Sequence, residues 1–175
     1  MELWDVYDSN GKPTGRVKAA YQGAEKGEYR LVCSLWIINQ QRQALLQKRS
    51  MKKKVDPGKW NITGGHSIAG ETSMQACIRE AAEEIGMILQ PEDIRLFTRS
   101  FVDGIIYDDY ITTKEFNITD AIVQPEEVTE LKWMTLAEIR ELYDQGKFMF
   151  SDITKLDEVE KFLLTGLNDV KEQQR

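Results

Sequence analysis

Cysteine and histidine are scarce in this chain, with two of the first and one of the second in 175 residues. Cys33 sits in a strand-like run and Cys77 in a helix-like one, so they form no disulfide framework and read as free thiols. A lone histidine, His66, excludes any centre built on several imidazoles. No apolar run approaches the roughly eighteen residues of a membrane span. The opening Met1-Glu2-Leu3-Trp4-Asp5 lacks the basic and apolar segments of a secretion signal, so the chain reads as cytoplasmic with no membrane partner. Basic charge is in deficit, 23 Lys and Arg against 29 Asp and Glu, which argues against general nucleic-acid binding. Twelve glycines and four prolines are too few for a fibrous chain, while 41% hydrophobic residues are too many for a disordered acidic one. What remains is one globular domain, long enough to fold without a disulfide or metal staple. Its surplus of acid points to metal chemistry on oxygen ligands.

No repeat, low-complexity segment or Pro/Gly/Ser-rich linker divides the chain. Trp4 to Tyr7 runs through Ser9-Asn10-Gly11 to Val17, a hairpin signal because Asn-Gly tolerates positive φ. Tyr29 to Ile38 and Ala44 to Lys48 flank Gln40-Gln41-Arg42 and read as a second, more buried hairpin. A polar loop from Ser50 to Gly58 leads to Trp60-Asn61-Ile62-Thr63, a short strand ending at Gly64-Gly65. Thr72 to Ile85 predicts a helix: Thr72 and Gln75 have capping-box spacing, Ile78, Ala81, Ala82 and Ile85 share a stripe, and Gly86 is a natural stop. Arg95 to Val102 and Ile105 to Phe116 flank Asp103-Gly104, a tight-turn pair between strands. Leu131 to Trp133 is a short strand, Thr135 with Glu138 opens a helix to about Gln145, and an amphipathic helix runs from about Leu156 to Val170. This irregular alternation predicts an α/β fold, a mixed sheet covered by helices on both faces.

On the Thr72–Ile85 helix, at about 100° per residue, Glu80, Glu83 and Glu84 fall on one face opposite the apolar stripe. Like charges at these spacings cost a few tenths of a kcal/mol each unless neutralised. A hard divalent cation, Mg²⁺ or Mn²⁺, would neutralise them while keeping waters for substrate phosphates to displace. Arg79, one turn before Glu83, is placed to orient it as an i,i+4 ion pair. Glutamate-rich faces are commonly just solvated, and spacing alone does not separate the two readings.

The longer string does. Gly65, Glu71, Arg79-Glu80, Glu83-Glu84 and Gly86 resemble the Nudix hydrolase box at every fixed position, across residues 65–87. Chance coincidence of seven such positions has a probability of roughly 10⁻⁶. Ala81 departs from the usual aliphatic residue there, a change expected only to trim packing. The resemblance implies an α/β/α sandwich around a mixed β-sheet, so that 1–175 is a single Nudix domain with 1–28 as an N-terminal hairpin extension. It also implies a Mg²⁺- or Mn²⁺-dependent pyrophosphohydrolase, acting on a nucleoside diphosphate linked to another moiety or a related organic diphosphate. By the same resemblance Glu83 and Glu84 are the main metal ligands, Glu80 is a ligand or the general base, and the Gly64 carbonyl is a further ligand. Glu71 would be second to these, and Glu127, among Glu126, Glu127 and Glu130, would supply a late-loop carboxylate. The competing reading is a non-catalytic nucleotide or metabolite sensor on the same scaffold.

Over about residues 1–90, the opening hairpin, Leu46 to Ser50 and Pro57 to Asn61 before Gly64-Gly65-His66 look like the branch that includes isopentenyl-diphosphate isomerase. Those isomerases place a cysteine where this chain has Gly64, and bind metal through several histidines, one near Arg30. With only His66 the isomerase chemistry is not expected, and His66 reads either as a turn residue hydrogen-bonded near the box or as a metal or phosphate contact. Cys77 reads as helix packing, and a homodimer is compatible with the branch. Substrate-binding candidates come from Lys48–Lys59, six basic residues against one acid: Arg49, Lys52, Lys53, Lys54 and Lys59 are expected to hold phosphates unless the loop is merely solvated. Trp60, Phe101 and Tyr107 are candidates to stack a base.

Overall fold

The amino-terminal hairpin forms as its alternation predicts: β1 (Leu3–Tyr7) and β2 (Pro13–Ala19) pair antiparallel, and Trp4 and Val6 point inward. Its turn is longer than a two-residue connection. Asp8 Oδ1 accepts the backbone N–H groups of Asn10 and Lys12 at 2.8 and 2.9 Å, and only Gly11 takes positive φ. The computed structural model describes residues 2–149 and 154–172, with 165–172 described by backbone alone. The end of the final helix's apolar pattern and residues 173–175 therefore lie outside the described side chains.

The second expected hairpin is corrected. The chain reverses at Asn39–Gln43, but β3 (Arg30–Ile37) and β4 (Ala44–Arg49) share only the bridge Ile38–Ala44 and enter different sheets. Both runs are buried almost throughout, so neither carries the polar face that would mark one preferred neighbour. The single short strand expected at Trp60–Thr63 is also two: β5 (Trp60–Asn61) pairs with β4, and β6 (Thr63–His66) pairs with β3. Gly64 and Gly65 thus lie inside a strand, not beyond one.

Helix α1 (Ser73–Ile85) starts at a complete Thr72–Gln75 capping box and ends at Gly86, φ 74°. Strands β7 (Arg95–Val102) and β8 (Ile105–Thr112) meet at Asp103-Gly104, both at positive φ, and β8 stops short of the expected Phe116. Strand β9 (Val128–Met134) is longer than expected. Helix α2 (Leu136–Asp144) is capped by Thr135 with Glu138, and α3 (Thr154–Glu172) follows.

The larger sheet has the order β6-β3-β8-β7, mixed because β3 and β8 run parallel, and the other has the order β5-β4-β9. Helix α1 covers Cys33, Leu35 and Ile37 with Ala76, Cys77, Ala81 and Ile85. On the opposite side α2 and α3 bring Ile139, Leu156, Val159 and Leu163 against Trp36, Ile111 and Trp60. The architecture is the helix-covered mixed sheet expected from the sequence. No helix among the described residues is long and apolar enough to cross a membrane.

Candidate active site

The chain crosses from one sheet to the other at buried Ile62, and this crossing sets Gly64-Gly65 beneath the glutamate face of α1. The three glutamates are not equivalent. Glu83 is half exposed, Glu80 has a side chain 16% exposed, and Glu84 is buried at 6%. Glu84 Oε2 accepts from Gln47 Nε2 at 2.8 Å and from the Gly64 N–H at 3.2 Å, while the Gln47 carbonyl accepts from Thr63 Oγ1 at 3.3 Å. Burial outweighs these bonds, and the charge of Glu80 adds to it, so the Glu84 carboxyl is pushed up to about 7. Burial raises Glu80 as well, against the nearby guanidinium of Arg79.

Arg79 ties the cluster together. It meets Glu71 through Nε at 2.9 Å and Nη2 at 3.0 Å, Glu80 and Glu83 through Nη1 at 2.9 and 3.1 Å, and the His66 carbonyl at 3.2 Å. The i,i+4 pair with Glu83 is present, and Glu71 lies behind Arg79. Neither glycine below can carry a side chain in this arrangement. A Cβ on Gly64 would lie 2.8 Å from Ser34 Cα and closer still to the Cys33 carbonyl oxygen; one on Gly65 would lie 2.5 Å from Glu80 Cδ.

A cavity of about 1020 Å³ opens in front of these residues. Its walls include Gly64, Gly65, His66, Arg79, Glu80, Glu83 and Glu84, and also Arg49, Lys52, Lys53, Lys54, Glu126 and Glu127. Glu71 and Lys59 are not on the wall, and Lys59 instead pairs with Asp56 at 2.7 Å. The basic loop and the late acidic loop clasp one another, Lys52 to Glu126 at 2.8 Å and Lys53 to Glu127. Arg49 donates to the Val55 carbonyl at 3.1 and 3.2 Å. His66 lines the cavity with its surface exposed; desolvation by the cavity walls and the positive charges of Arg30 and Lys53 lower its pKa below the ordinary imidazole value, so the ring is neutral near pH 7. Of the three aromatic candidates only Tyr107 lines the cavity: Trp60 is core, and Phe101 packs edge-on to Tyr29. Cys33 and Cys77 are free and buried.

The donor chemistry fits a hard cation, because a buried carboxylate held near 7 beside a second carboxylate lacks positive charge. Gly65 leaves the space that Glu80 occupies. Among the described residues no three carboxylates converge at coordinating distance: Glu71, Glu80 and Glu83 gather on Arg79, and Glu84 is turned to Gln47 and the Gly64 N–H.

Residues 28–152 match the model of the NUDIX domain. The chain belongs to the Nudix family. Among curated Nudix relatives, the uncharacterized Nudix hydrolase lmo0368 of Listeria monocytogenes is 34% identical over 85% of this chain and 89% of its own length. The isopentenyl-diphosphate Delta-isomerase of Escherichia coli is 28% identical over 83% of this chain and 84% of its own. Among solved structures, DR0079 of Deinococcus radiodurans superimposes with a TM-score of 0.74, at 20% identity over 91% of this chain and 98% of that one, a likeness of fold.

Several residues around the site of this Nudix domain escape a sequence reading. Gln47 is visible as the polar residue after Ala44-Leu45-Leu46, but its reach to Glu84 depends on β4 and α1 meeting. Arg30, Ser100 and Lys155 line the cavity, and come from three different elements.

Proposed function

We propose that this Nudix protein hydrolyses a diphosphate with Mg²⁺ or Mn²⁺, its substrate being a nucleoside diphosphate linked to another moiety or a related organic diphosphate. The observation that carries the reading is Glu84, a buried carboxylate poised near neutrality at the meeting of two sheets, with Glu80, Glu83 and Arg79 around it on the wall of a large cavity. Glu83, Glu84 and the Gly64 carbonyl would hold the cation, with Glu127 joining them once released from Lys53. Bound there, the cation would neutralise phosphate charge and favour attack of water on phosphorus. Arg79 aims Glu80 and Glu83, and Glu71 fixes Arg79 from behind. Glu80, its pKa raised and its carboxylate on the cavity wall, takes the proton from the attacking water. Arg49, Lys52, Lys53 and Lys54 face the substrate phosphates that lie beyond the cation.

Resemblance to the isomerase branch supports kinship without shared chemistry. Allylic proton transfer needs an acid at position 64, and the close approach of the Cys33 carbonyl leaves no room for any side chain there. The test is a panel of nucleoside diphosphate derivatives with Mg²⁺, scoring mononucleotide release and uptake of ¹⁸O from water onto phosphorus. Hydrolysis of at least one class is expected, with no conversion of isopentenyl to dimethylallyl diphosphate. Tight binding of panel members without turnover would favour the sensor instead.

A further inference from the structure

One face of the sheet β6-β3-β8-β7 turns toward the cavity. Strand register sets His66, Val32, Tyr107 and Ser100 in one row across it, and Arg30, Ile105 and Val102 in the next. Farther along the same face Trp36 and Ile111 are sealed by α2 and α3, whereas Arg30, Val32, Tyr107 and Ser100 line open space. Among the described residues, two donors in these two rows are buried and make no hydrogen bond, Arg30 Nε and Ser100 Oγ.

The guanidinium of Arg30 makes no ion pair and no hydrogen bond among the described residues; it lies 5.5 Å over the Trp4 ring, a contact that fixes its position, and the acid whose charge reaches it is exposed Glu2, which does not approach to ion-pair distance. Apart from Lys54 on the basic loop, the other cations of the cavity are already engaged. Arg79 holds three glutamates, Arg99 grips Asp108 at 2.6 Å, Lys155 pairs with Asp109 at 2.5 Å, Lys52 and Lys53 pair with Glu126 and Glu127, and Arg49 donates to the Val55 carbonyl on the basic loop. A guanidinium stays charged at any physiological pH, and its fork of donors matches an oxyanion. Buried donors without partners are uncommon in folded proteins and ask for a ligand that completes them. The cavity also lies at the upper end of the size of small-molecule pockets, larger than a diphosphate needs.

We infer that Arg30, with Ser100 beside the Tyr107 ring, is a specificity-determining anchor for a second oxyanion, a phosphate or carboxylate on the part of the substrate remote from the hydrolysed anhydride. This rests on the diphosphate hydrolase reading, and deepens it: the favoured substrate is a diphosphate whose second moiety is itself anionic.

Matched substrates separate the two oxyanions. Coenzyme A and its dephospho form differ by one remote phosphate, UDP-glucuronate and UDP-glucose by one remote carboxylate. In at least one pair the wild type is expected to prefer the anionic member tenfold or more in kcat/KM, chiefly through KM. Arg30→Met, which keeps aliphatic packing on Trp4, brings that ratio to within twofold of one, and Ser100→Ala lowers it by a smaller factor. A ratio near one in the wild type, or one that Arg30→Met leaves intact, overturns the inference. A second readout needs no turnover. Inorganic phosphate titrated into metal-free protein should shift the Trp4 indole N–H resonance saturably, at least tenfold more weakly in Arg30→Met, and equal shifts in the two proteins also overturn it. Failure of the hydrolase reading is distinct: no panel member is cleaved, while the Trp4 response to phosphate persists.

Discussion

Gly64 and Gly65 are neighbours whose missing side chains do different work. An added Cβ at 64 meets the β3 backbone, which cannot yield without breaking the pairing of β3 with β6. An added Cβ at 65 meets the end of the Glu80 side chain, which can swing away. Gly64→Ala is therefore expected to cost stability, about 1–3 kcal/mol by overpacking. Gly65→Ala should unfold within about 1 kcal/mol of wild type yet lose tenfold or more in kcat, because Glu80 is displaced. Equal losses of stability in both variants, read by denaturant melts, would contradict this division. The carboxylates themselves give a second expectation. Glu83→Gln and Glu84→Gln keep shape and helix propensity but remove charge, so turnover at saturating Mg²⁺ should fall by about two decades or more with circular dichroism unchanged. Wild-type rates in Glu84→Gln would remove this cluster from the chemistry.

At the level of elements, what the sequence discloses depends on whether the signal is local. Both capping boxes, Thr72 with Gln75 and Thr135 with Glu138, form as spaced, because every partner lies within one turn. The glutamate face was legible for the same reason, since one helix carries Arg79, Glu80, Glu83 and Glu84. Strand partners were not. β3 and β4 look like a hairpin until β6, β8 and β9 compete for their edges, and the Trp60–His66 segment divides between two sheets at a residue, Ile62, that carries no turn signal. Gln47, Arg30 and Ser100 stayed hidden because their significance arises only where separate strands meet. The Lys52–Lys54 loop is intermediate: its charge was evident, its clasp on Glu126 and Glu127 was not. Neutralising Lys52, Lys53 and Lys54 together to Gln removes three attractive charges and frees two glutamates to repel an anionic substrate. KM should rise, kcat should stay nearly constant, and kcat/KM should depend less on salt. An unchanged KM between low and moderate salt would leave the loop as solvated surface.

Two buried carboxylates make the stability of the whole molecule respond to pH in opposite directions. Glu28 is held by Lys18, by Arg16 at 2.7 Å and by the Glu25 N–H, and its pKa falls to about 2 from the ordinary 4.5. Its contribution is present above about pH 4.5 and is lost as pH falls toward 2. Glu84 is raised from 4.5 to about 7, so in metal-free protein its contribution is complete below about pH 4.5 and is lost as pH rises through 7. A shift of that size corresponds to something on the order of 3 kcal/mol, several degrees in Tm for a chain of this length. In EDTA the Tm of Glu84→Gln relative to wild type should therefore climb steadily between pH 4.5 and 7.5, since the amide never has to ionise in its buried place. Excess Mg²⁺ should raise the wild-type Tm near pH 7.5 and do little near pH 5, where the proton already occupies the carboxylate. A Tm difference that stays flat across this range in EDTA would mean that Glu84 ionises in the folded protein as it does in the unfolded chain, and the electrostatic demand for a cation at that position would disappear with it.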